Sequence, residues 1–387
     1  MISTELLALV RCPACRGTLA GEPSALVCRS CGARYEGSPR DFLDLRPREA
    51  FQEQTKYLDE ALHADARHER VSPPLLGSKI RNDMLRAFLA PAPDDRVVDL
   101  GCGSGRALLW NRDWRARAVG VDIAPFFAAE ARAGVDLLLG DLRRLPFADA
   151  TFTRAYSLDV LEHLSPEALR GMLGEAARVI APGGTLFVYT HVRKNARVAV
   201  GLRWINALAR RLERAGLIDM RQERLRKSDH LNPLADIPEL RRVAADSGFR
   251  IKRIRYYTPL VGGFVENVMM RLAEKRLAEG AKSARGAGGA QGAGGAGSAQ
   301  ATGAESAAGA RSTEGAPGAP ITDEEALKIA RAEGKRRVAE SGTTRFVLRA
   351  LTLAMKLDLV LFGRIESGPF FALLERQSTP DRPPVDR

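Results

Sequence analysis

Four cysteines near the start of the chain have the spacing of a metal site. Cys12 and Cys15 form one CxxC pair, Cys28 and Cys31 form a second, and twelve residues separate the pairs. In a CxxC turn, two thiolates reach the same ion while backbone amides bond to the sulfurs, and two such pairs complete a tetrahedron. The pattern predicts a structural zinc site that is closed, because four thiolates leave no open position for catalysis. Unrelated thiols or redox pairs are the alternative interpretation.

A second group of small and acidic residues lies between positions 97 and 105. A buried-strand pattern includes Asp99 and then turns through Gly101, Gly103 and Gly105. Glycines let the backbone approach a ligand closely, and the helix that follows offers free amides at its start. A dinucleotide-binding loop would need glycine at position 106, where the sequence has arginine. The loop is therefore GxGxG and not GxGxxG.

This loop resembles the first motif of the class I S-adenosylmethionine-dependent methyltransferases. Asp122 ends the next strand candidate, 23 positions after Asp99. Gly140-Asp141-Leu142 ends the strand candidate after that, and Pro182-Gly183-Gly184 matches the family's usual turn before the fifth strand. The resemblance implies a methyltransferase that uses S-adenosylmethionine as its cofactor.

The resemblance also implies roles for individual residues. Asp122 would accept the ribose hydroxyls, and Asp141 with the next backbone amide would read the adenine edge. Taken singly, Asp99 fits a helix or turn cap, Asp122 a solvated strand end and Asp141 a turn former. A zwitterionic cofactor with a cationic sulfonium suits carboxylates and oriented amides. The predicted cofactor-binding residues are Asp99, Gly101, Cys102, Gly103, Gly105, Asp122, Ile123, Asp141, Leu142 and Ser157.

Three side chains near the ends of the fourth and fifth strand candidates are the candidates for catalysis. Methyl transfer is an in-line displacement, so aligning the acceptor and excluding water can provide most of the rate. A base is needed only where the acceptor must lose a proton. Asp159 follows the fourth strand, His163 lies about one turn further on, and His191 closes the fifth. The competing interpretations are a helix cap for Asp159 and a packed helix residue for His163.

A parallel sheet is needed to bring these residues together. From position 96 onward, strand-like and helix-like stretches alternate, which is typical of βαβ units. Ligands bind at the carboxyl ends of the strands in such sheets. We predict an α/β fold with a doubly wound, seven-stranded, mostly parallel Rossmann-like sheet whose last strand is antiparallel. The predicted strands are Arg96–Leu100, Ala118–Ile123, Val135–Gly140, Phe152–Ser157, Gly184–Thr190, Phe249–Tyr257 and Pro369–Glu375.

Composition divides the chain into parts around this sheet. Positions 280–320 are overwhelmingly glycine and alanine, without aromatic or large aliphatic residues, and are predicted to be a disordered insertion. The predicted parts are a zinc ribbon at 1–45, a helical connector at 46–93, the methyltransferase core at 94–279, the insertion at 280–320, a helical lid with the last strand at 321–378, and a tail at 379–387.

The N-terminal part resembles the short zinc-ribbon modules that partner or precede RNA methyltransferases. The shared features are CPxC at Cys12–Cys15, CxxCGxxY at Cys28–Tyr35, and an acidic, aromatic and leucine-containing stretch at Asp41–Leu45. The resemblance implies a recognition or docking role and says nothing about the substrate.

Positive charge is concentrated in one region of the chain. The 387 residues carry a net charge of +12, and positions 193–285 hold 22 Lys and Arg against 10 Asp and Glu. Such a field suits anionic partners. RNA is therefore one candidate acceptor, with Trp204, Tyr256 and Tyr257 available for base stacking. A solvated basic helix is the competing interpretation.

A small or lipid-like acceptor is slightly favoured over RNA. Two apolar helix-length stretches, Phe264–Leu277 and Thr344–Phe362, flank the insertion, and insertions there commonly form lids in the family that the chain resembles. The second stretch also fits a peripheral membrane contact, although no apolar run reaches the roughly 18 residues of a membrane span. A third hypothesis is a non-catalytic adaptor that works through its zinc ribbon. Because a signal-peptide pattern is missing, the expected location is the cytoplasm.

Overall fold

The computed structural model describes ten stretches of the chain. They are residues 3–22, 25–36, 41–47, 71–193, 200–220, 230–231, 233–257, 260–276, 279–280 and 342–378. The predicted insertion lies outside the described residues except for position 280. Residues 48–70 of the predicted connector, 321–341 of the predicted lid and the tail at 379–387 also lie outside them.

Residues 3–22 and 25–36 form a small unit that packs against the main domain. Leu6 and Val10 are each 1% exposed, because both belong to a hydrophobic core that they share with the main sheet. A segment too small for a core of its own is thus stabilised by its neighbour. Its elements are helix α1 (Thr4–Leu9) and three antiparallel strands, β1 (Leu19–Glu22), β2 (Ala25–Cys28) and β3 (Arg34–Glu36).

An eight-stranded sheet forms the centre of the main domain. Its strands are β4 (Leu43–Asp44), β5 (Arg96–Leu100), β6 (Arg117–Asp122), β7 (Asp136–Leu139), β8 (Phe152–Leu158), β9 (Ile180–His191), β10 (Phe249–Tyr256) and β11 (Pro369–Arg376). They lie in the order β10-β11-β9-β8-β5-β6-β7-β4, and β11 runs antiparallel to both of its neighbours. The predicted doubly wound, mostly parallel sheet with an antiparallel last strand is confirmed. The chain order reverses between β5 and β8, which is the switch point where ligands bind in such sheets.

The predicted number of seven strands is wrong, because β4 adds an eighth. Leu43 and Asp44 pair in parallel with Leu138 and Leu139 of β7, and the amide of Leu45 donates to the carbonyl of Leu139 at 2.9 Å. Two residues show no alternating pattern, so their sequence gave no strand signal. The end of the predicted zinc ribbon therefore belongs to the main sheet.

Helices cover both faces of the sheet. They are α2 (Leu76–Leu89), α3 (Arg106–Trp110), α4 (Ala129–Gly134), α5 (Pro166–Val179), α6 (Val200–Arg214), α7 (Ile237–Asp246), α8 (Val261–Phe264) and α9 (Gly342–Phe362), with a 3-10 turn at Leu161–His163 and a π-helical segment at Val265–Met269. Apolar residues of α5 and α7 join one core cluster, and those of α2, α3, α4 and α9 join the other. None of the helices among the described residues has the length and apolar content needed to cross a membrane.

Helix α5 shows how the local sequence fixes these elements. Ser165 precedes the helix, and its Oγ accepts the amide of Ala168 at 3.1 Å, which satisfies one amide of the first turn. Pro166 occupies the first turn, where its missing N–H is not needed. Buried Leu169, Met172, Leu173 and Ala176 follow at helical spacing. This apolar stripe packs α5 against the sheet.

Two buried polar side chains hold α9 against the starts of other helices. Oγ1 of Thr352 accepts the amide of Leu76 at 3.2 Å. Asp358, which is 2% exposed, accepts the amides of Leu260 and Gly262 at 3.2 and 3.1 Å. Amides at the start of a helix have no partner within it, so α9 supplies bonds that α2 and α8 lack. These contacts place α9 beside the carboxyl ends of the strands.

Candidate active site

The glycine loop joins β5 to α3 at the carboxyl edge of the sheet. Gly101, Gly103 and Gly105 have φ angles of +83°, +53° and +79°, a region that side chains rarely adopt. A Cβ on Gly101 would lie 2.4 Å from Cγ2 of Val160, and one on Gly105 would lie 2.7 Å from Cβ of Ala131. Gly103 faces open space. Two of the glycines therefore permit close packing, and the backbone of Gly103 is open to a ligand.

Two acids flank this loop. Oδ2 of Asp122 accepts the amide of Gly103 at 2.7 Å, and Oδ1 accepts the amide of Ala124 at 2.9 Å. Asp99 is 2% exposed, and its Oδ2 has no hydrogen-bond partner within the described residues. Burial raises the pKa of both carboxyls, that of Asp99 well above its usual range, and the charge of Asp122 adds to the effect on Asp99. The Tyr156 hydroxyl lies near enough to counter part of this rise in the pKa of Asp99. A buried carboxyl oxygen that has no hydrogen-bond partner among the described residues is a place for a ligand's donor group.

Asp141, predicted to read the adenine edge, is bound within its own turn. Oδ1 accepts the amide of Arg143 at 2.8 Å, and the Arg143 guanidinium donates to Oδ2 at 2.9 Å. Asp141 is buried, and the neighbouring Leu142 is half-buried. This geometry is that of a turn-forming aspartate, so a role of Asp141 and Leu142 at the adenine stays a prediction.

The other predicted cofactor residues form the wall beside the loop. Ser157 is fully buried and donates to the carbonyl of Leu100 at 2.7 Å, which ties β8 to the end of β5. The amide of Cys102 donates to the carbonyl of Val121 at 3.0 Å, and burial raises the pKa of its thiol. Ile123 is half-buried directly after β6. These residues shape the pocket through backbone and packing, and their contact with a cofactor stays a prediction.

Asp159 lies directly after β8 in a strained backbone conformation. Its φ of +57° falls in the left-handed region that favours glycine. Its amide donates to the carbonyl of Tyr189 at 3.1 Å, and its Oδ2 lies 3.7 Å from Nε of Arg81. The 3-10 turn that follows has no side-chain cap. The helix-cap interpretation of Asp159 is therefore not what the structure shows, and its partly exposed carboxylate lies beside Arg81.

A buried carboxylate orients His191. Glu162 is 1% exposed, its Oε2 accepts the hydroxyl of Thr190 at 2.7 Å, and its Oε1 lies 3.4 Å from Nδ1 of His191. Burial alone would raise the pKa of Glu162, but the contacts with His191 and Thr190 outweigh it and lower the pKa below its usual value. Glu162 is therefore ionised at neutral pH, and His191 is the imidazole that lies beside this carboxylate.

Aromatic and charged side chains continue the wall beyond Asp159. The guanidinium of Arg81 lies 5.3 Å from the ring centroid of Tyr189, and the rings of Tyr189 and Tyr257 meet edge to face at 5.6 Å. The hydroxyl of Tyr257 donates to Oε1 of Glu266 at 2.7 Å. Burial raises the pKa of both tyrosines well above the usual range, so their hydroxyls stay protonated. The wall thus combines ring faces with hydrogen-bonding groups.

Two further histidines complete the cluster. The rings of His163 and His230 meet edge to face with centroids 4.6 Å apart, and the His191 and His230 centroids are 6.1 Å apart. The structure thus brings the three predicted catalytic residues, Asp159, His163 and His191, to one edge of the sheet. Whether they act in catalysis stays a prediction.

Sequence reasoning missed several residues of this edge. The adjacency of Glu162 to His163 was a usable signal, because an acid beside a histidine at a strand end is a frequent catalytic pairing. The other residues lie far apart in the chain, and only the fold brings them together. The missed residues are Arg81, Glu162, Tyr189, His230 and Glu266.

The sulfurs of the four N-terminal cysteines lie close together in the small N-terminal unit. The closest pairs are Cys12 with Cys31 at 3.7 Å and Cys15 with Cys28 at 3.4 Å, and all four sulfurs lie within 4.8 Å of one another. Zinc–sulfur bonds of about 2.3 Å in a tetrahedron place the sulfurs about 3.8 Å apart. The amides of Gly17 and Ser30 each point at a cysteine sulfur at 3.4 Å. This donor set fits zinc.

Comparisons with known proteins support the first of these two sites. Residues 98–188 match the family described as "Methyltransferase domain". "Probable tRNA methyltransferase 9B" of Mus musculus is 34% identical over 136 residues, which cover 33% of this chain and 30% of that protein. "Sterol 4-C-methyltransferase strm-1" of Caenorhabditis elegans is 33% identical over 107 residues, which cover 25% of this chain and 31% of that protein.

Among solved structures, phosphoethanolamine N-methyltransferase 2 of Haemonchus contortus in complex with S-adenosyl-L-methionine aligns with a TM-score of 0.43 and 13% identity, over 84% of this chain and 61% of that chain. The matched part of the chain spans about a third of the length of the curated relatives named above. The match at residues 98–188 includes the glycine loop, Asp122 and Asp141. Residues 98–188 are thus similar to the methyltransferase-domain family, in agreement with the resemblance that their motifs gave.

Proposed function

We propose that the protein transfers a methyl group from S-adenosylmethionine to a small, lipid-like acceptor bound over the carboxyl ends of β8 and β9. The observation that carries this proposal is the glycine loop between Asp99 and Asp122, where Oδ2 of buried Asp99 has no hydrogen-bond partner in the part of the chain that the structure describes. Such an edge fits a cofactor with ribose hydroxyls and a cationic sulfonium. When bound there, the cofactor supplies an electrophilic methyl group.

The chain's own contribution is alignment, exclusion of water and one proton acceptor. His191 is the group placed to take a proton, since its Nδ1 lies 3.4 Å from Oε1 of the ionised Glu162. Tyr189 and Tyr257 keep their protons and can hold a polar group of the acceptor. Because the sulfonium is already a good leaving group, this positioning of the acceptor can provide most of the rate enhancement.

The outer face of α9 supports a lipid-like acceptor. Five large apolar side chains on this helix are between 55% and 77% exposed: Phe346, Leu353, Leu357, Val360 and Leu361. Their spacing places them in one row along the helix. Arg345 and Arg349 are exposed one turn apart and border this row. An apolar row beside cations fits the surface of an anionic bilayer, which would bring the acceptor to the site.

Vesicle sedimentation tests this membrane contact. The double variant Leu353→Ser/Val360→Ser removes two side chains from the row, whereas Leu217→Ser changes an apolar side chain that is 52% exposed on another part of the surface. We expect binding to phosphatidylglycerol vesicles to fall at least about fivefold in the double variant, since each large apolar side chain contributes about 1.5–3 kcal/mol when fully buried. The control should bind like the wild type. Equal binding by all three proteins would rule out α9 as the contact.

Methyl transfer itself is tested with radiolabelled S-adenosylmethionine and two acceptor pools, a lipid extract and total RNA. We expect label in the lipid fraction with the wild type and much less with Asp122→Ala when the cofactor is held below its wild-type Kd. If RNA is labelled instead, and the label is lost with the same variant, the acceptor is RNA and not a lipid. Label in neither pool, together with no calorimetric heat on cofactor addition, would favour a non-catalytic adaptor.

RNA is the second candidate acceptor because of helix α6. Trp204 is 72% exposed, and Arg203, Arg210 and Arg211 are exposed on the same helix. An aromatic ring among cations can stack a base while the cations contact phosphates. One similar protein carries the name "Probable tRNA methyltransferase 9B". If RNA is the acceptor, Trp204→Ala should weaken RNA binding by about 1–3 kcal/mol, and unchanged binding would argue against it.

We also propose that Cys12, Cys15, Cys28 and Cys31 hold a structural zinc ion. The sulfur separations and the two amide-to-sulfur contacts support it. Cys28→Ser should release the metal and increase hydrogen exchange mainly before residue 45. A variant that keeps one zinc per chain would contradict the four-thiolate site.

A further inference from the structure

Three of the chain's five histidines converge on one buried carboxylate. The ligating atoms of Glu162, His163 and His230 all lie within 4.8 Å of one another. His191 is the third histidine, with its Nδ1 3.4 Å from Oε1 of Glu162. His230 is 67 positions from His163 in the chain, so the fold and not local spacing creates this group.

The chemistry of the group is that of a metal-ligand set. Glu162 is 1% exposed, and an ionised carboxylate at such depth is unfavourable unless it is paired. His163 and His230 are half-buried, and both carry ring nitrogens that can ligate when neutral. Two imidazoles with one carboxylate form a donor set that zinc and non-haem iron use in proteins, and the set leaves further positions open.

We infer that Glu162, His163 and His230 bind one divalent transition-metal ion of the zinc, iron or manganese type. Ligand distances of about 2.0–2.2 Å require donor atoms about 3.0–3.5 Å apart. The ligating atoms now lie within 4.8 Å of one another, so metal binding requires side-chain rotations that bring them closer. Thr190 fixes the carboxylate through its 2.7 Å hydrogen bond, which is how outer contacts orient metal ligands.

The position of this site gives the ion a role. Glu162 lies three residues after Asp159, on the edge where we place the acceptor. Three protein ligands leave room for an acceptor oxygen, and a bound ion lowers the pKa of a hydroxyl that it ligates. The site would thus select acceptors with a hydroxyl group next to the donor methyl. This role rests on the proposed methyl transfer, whereas metal binding does not.

Manganese binding to the full chain, with zinc retained at the cysteines, tests the inference. Manganese prefers nitrogen and oxygen donors to thiolates, and its free ion is measured by electron paramagnetic resonance. We expect one manganese per wild-type chain. His163→Gln and His230→Gln should each weaken binding at least about tenfold, and Glu162→Gln should abolish it. His191→Gln is the matched control, which should retain most of the binding.

The outcomes separate this inference from the proposed function. If Glu162→Gln does not fold, the two variants at half-buried histidines still decide the question. A wild-type chain that binds neither manganese nor cobalt beyond its cysteine site would overturn the inference, as would binding that is unchanged in both histidine variants. Calorimetry with S-adenosylmethionine runs in parallel. If the chain binds the cofactor but no second metal, only the metal-site inference is wrong. If it binds a second metal but not the cofactor, only the methyl-transfer proposal is wrong.

Discussion

Replacing Asp122 separates the two tasks of that carboxylate, which are to hold the glycine loop and to bind the cofactor ribose. In the structure it accepts two loop amides, from Gly103 at 2.7 Å and Ala124 at 2.9 Å. A hydrogen bond to a charged group contributes about 1.5–3 kcal/mol. Asp122→Ala should therefore weaken cofactor binding by about 1–3 kcal/mol, which corresponds to about 5- to 150-fold in Kd. Asp122→Asn keeps one acceptor oxygen and should cause a smaller loss.

Calorimetric titration with S-adenosylmethionine measures both variants. Asp113→Asn is the matched control, because its carboxylate is 63% exposed and pairs with Arg86 away from the loop. It should bind the cofactor like the wild type. Thermal melting confirms that each variant is folded before its Kd is compared. A folded Asp122→Ala protein with unchanged affinity would refute the ribose assignment and, with it, the reasoning from strand-end carboxylates.

Three further predictions concern stability and metal retention. Since burial raises the pKa of Asp99, the folded state holds a proton that the unfolded state loses, so the stability from this group falls as pH rises from about 4 toward its raised pKa. Asp99→Asn should therefore reduce the loss of stability between pH 5 and pH 8, measured by urea titration. An unchanged dependence of stability on pH would contradict this prediction. Asp358→Ala should lower the free energy of unfolding by about 1–3 kcal/mol because two buried amides lose their acceptor, with Asp358→Asn losing less; equal stability of wild type and both variants would show that this contact does not hold α9. Gly17→Ala places a Cβ 2.9 Å from Sγ of Cys28 and should speed the loss of zinc to a chelator. Gly21→Ala places a Cβ where it meets no neighbour and should not change the rate of zinc loss. Equal rates of zinc loss from the two variants would contradict the packing argument.

The sequence predicts those parts of the fold that follow from short, contiguous patterns. The glycine loop is predictable because three glycines and two strand-end acids each have a local physical reason. The same holds for the cysteine cluster, where pair spacing alone brings Cys12, Cys15, Cys28 and Cys31 within reach of one ion. The mostly parallel sheet follows from the alternation of strand-like and helix-like stretches, whereas the order of its strands is seen only in the structure.

The remaining parts depend on contacts between distant segments. Strand β4 has two residues and exists because the edge of β7 is available for pairing. Arg81 lies on a helix that the sequence predicts only as part of the connector. Its contact with Asp159 joins positions that are 78 residues apart in the chain. Asp141 was assigned from its place in a motif, and its bonds to Arg143 are visible only in three dimensions. Tertiary contact, more than local propensity, decides such positions.

The carboxylates around Arg81 determine which acceptor charge the pocket tolerates. Arg81 interacts with Asp159 and Glu266, and Asp159 also feels the charge of Glu162. Three carboxylates against this guanidinium make the group negative when the nearby histidines are neutral. We expect neutral or amine-bearing acceptors to be methylated faster than phosphate-bearing analogues with the same tail, and rising salt to narrow the difference. Glu266→Gln should also narrow it, while Glu279→Gln, at a carboxylate that is 62% exposed, should not. Preference for the phosphate-bearing analogue would show that the acceptor does not bind against these side chains and would move its contacts toward the arginines of α6.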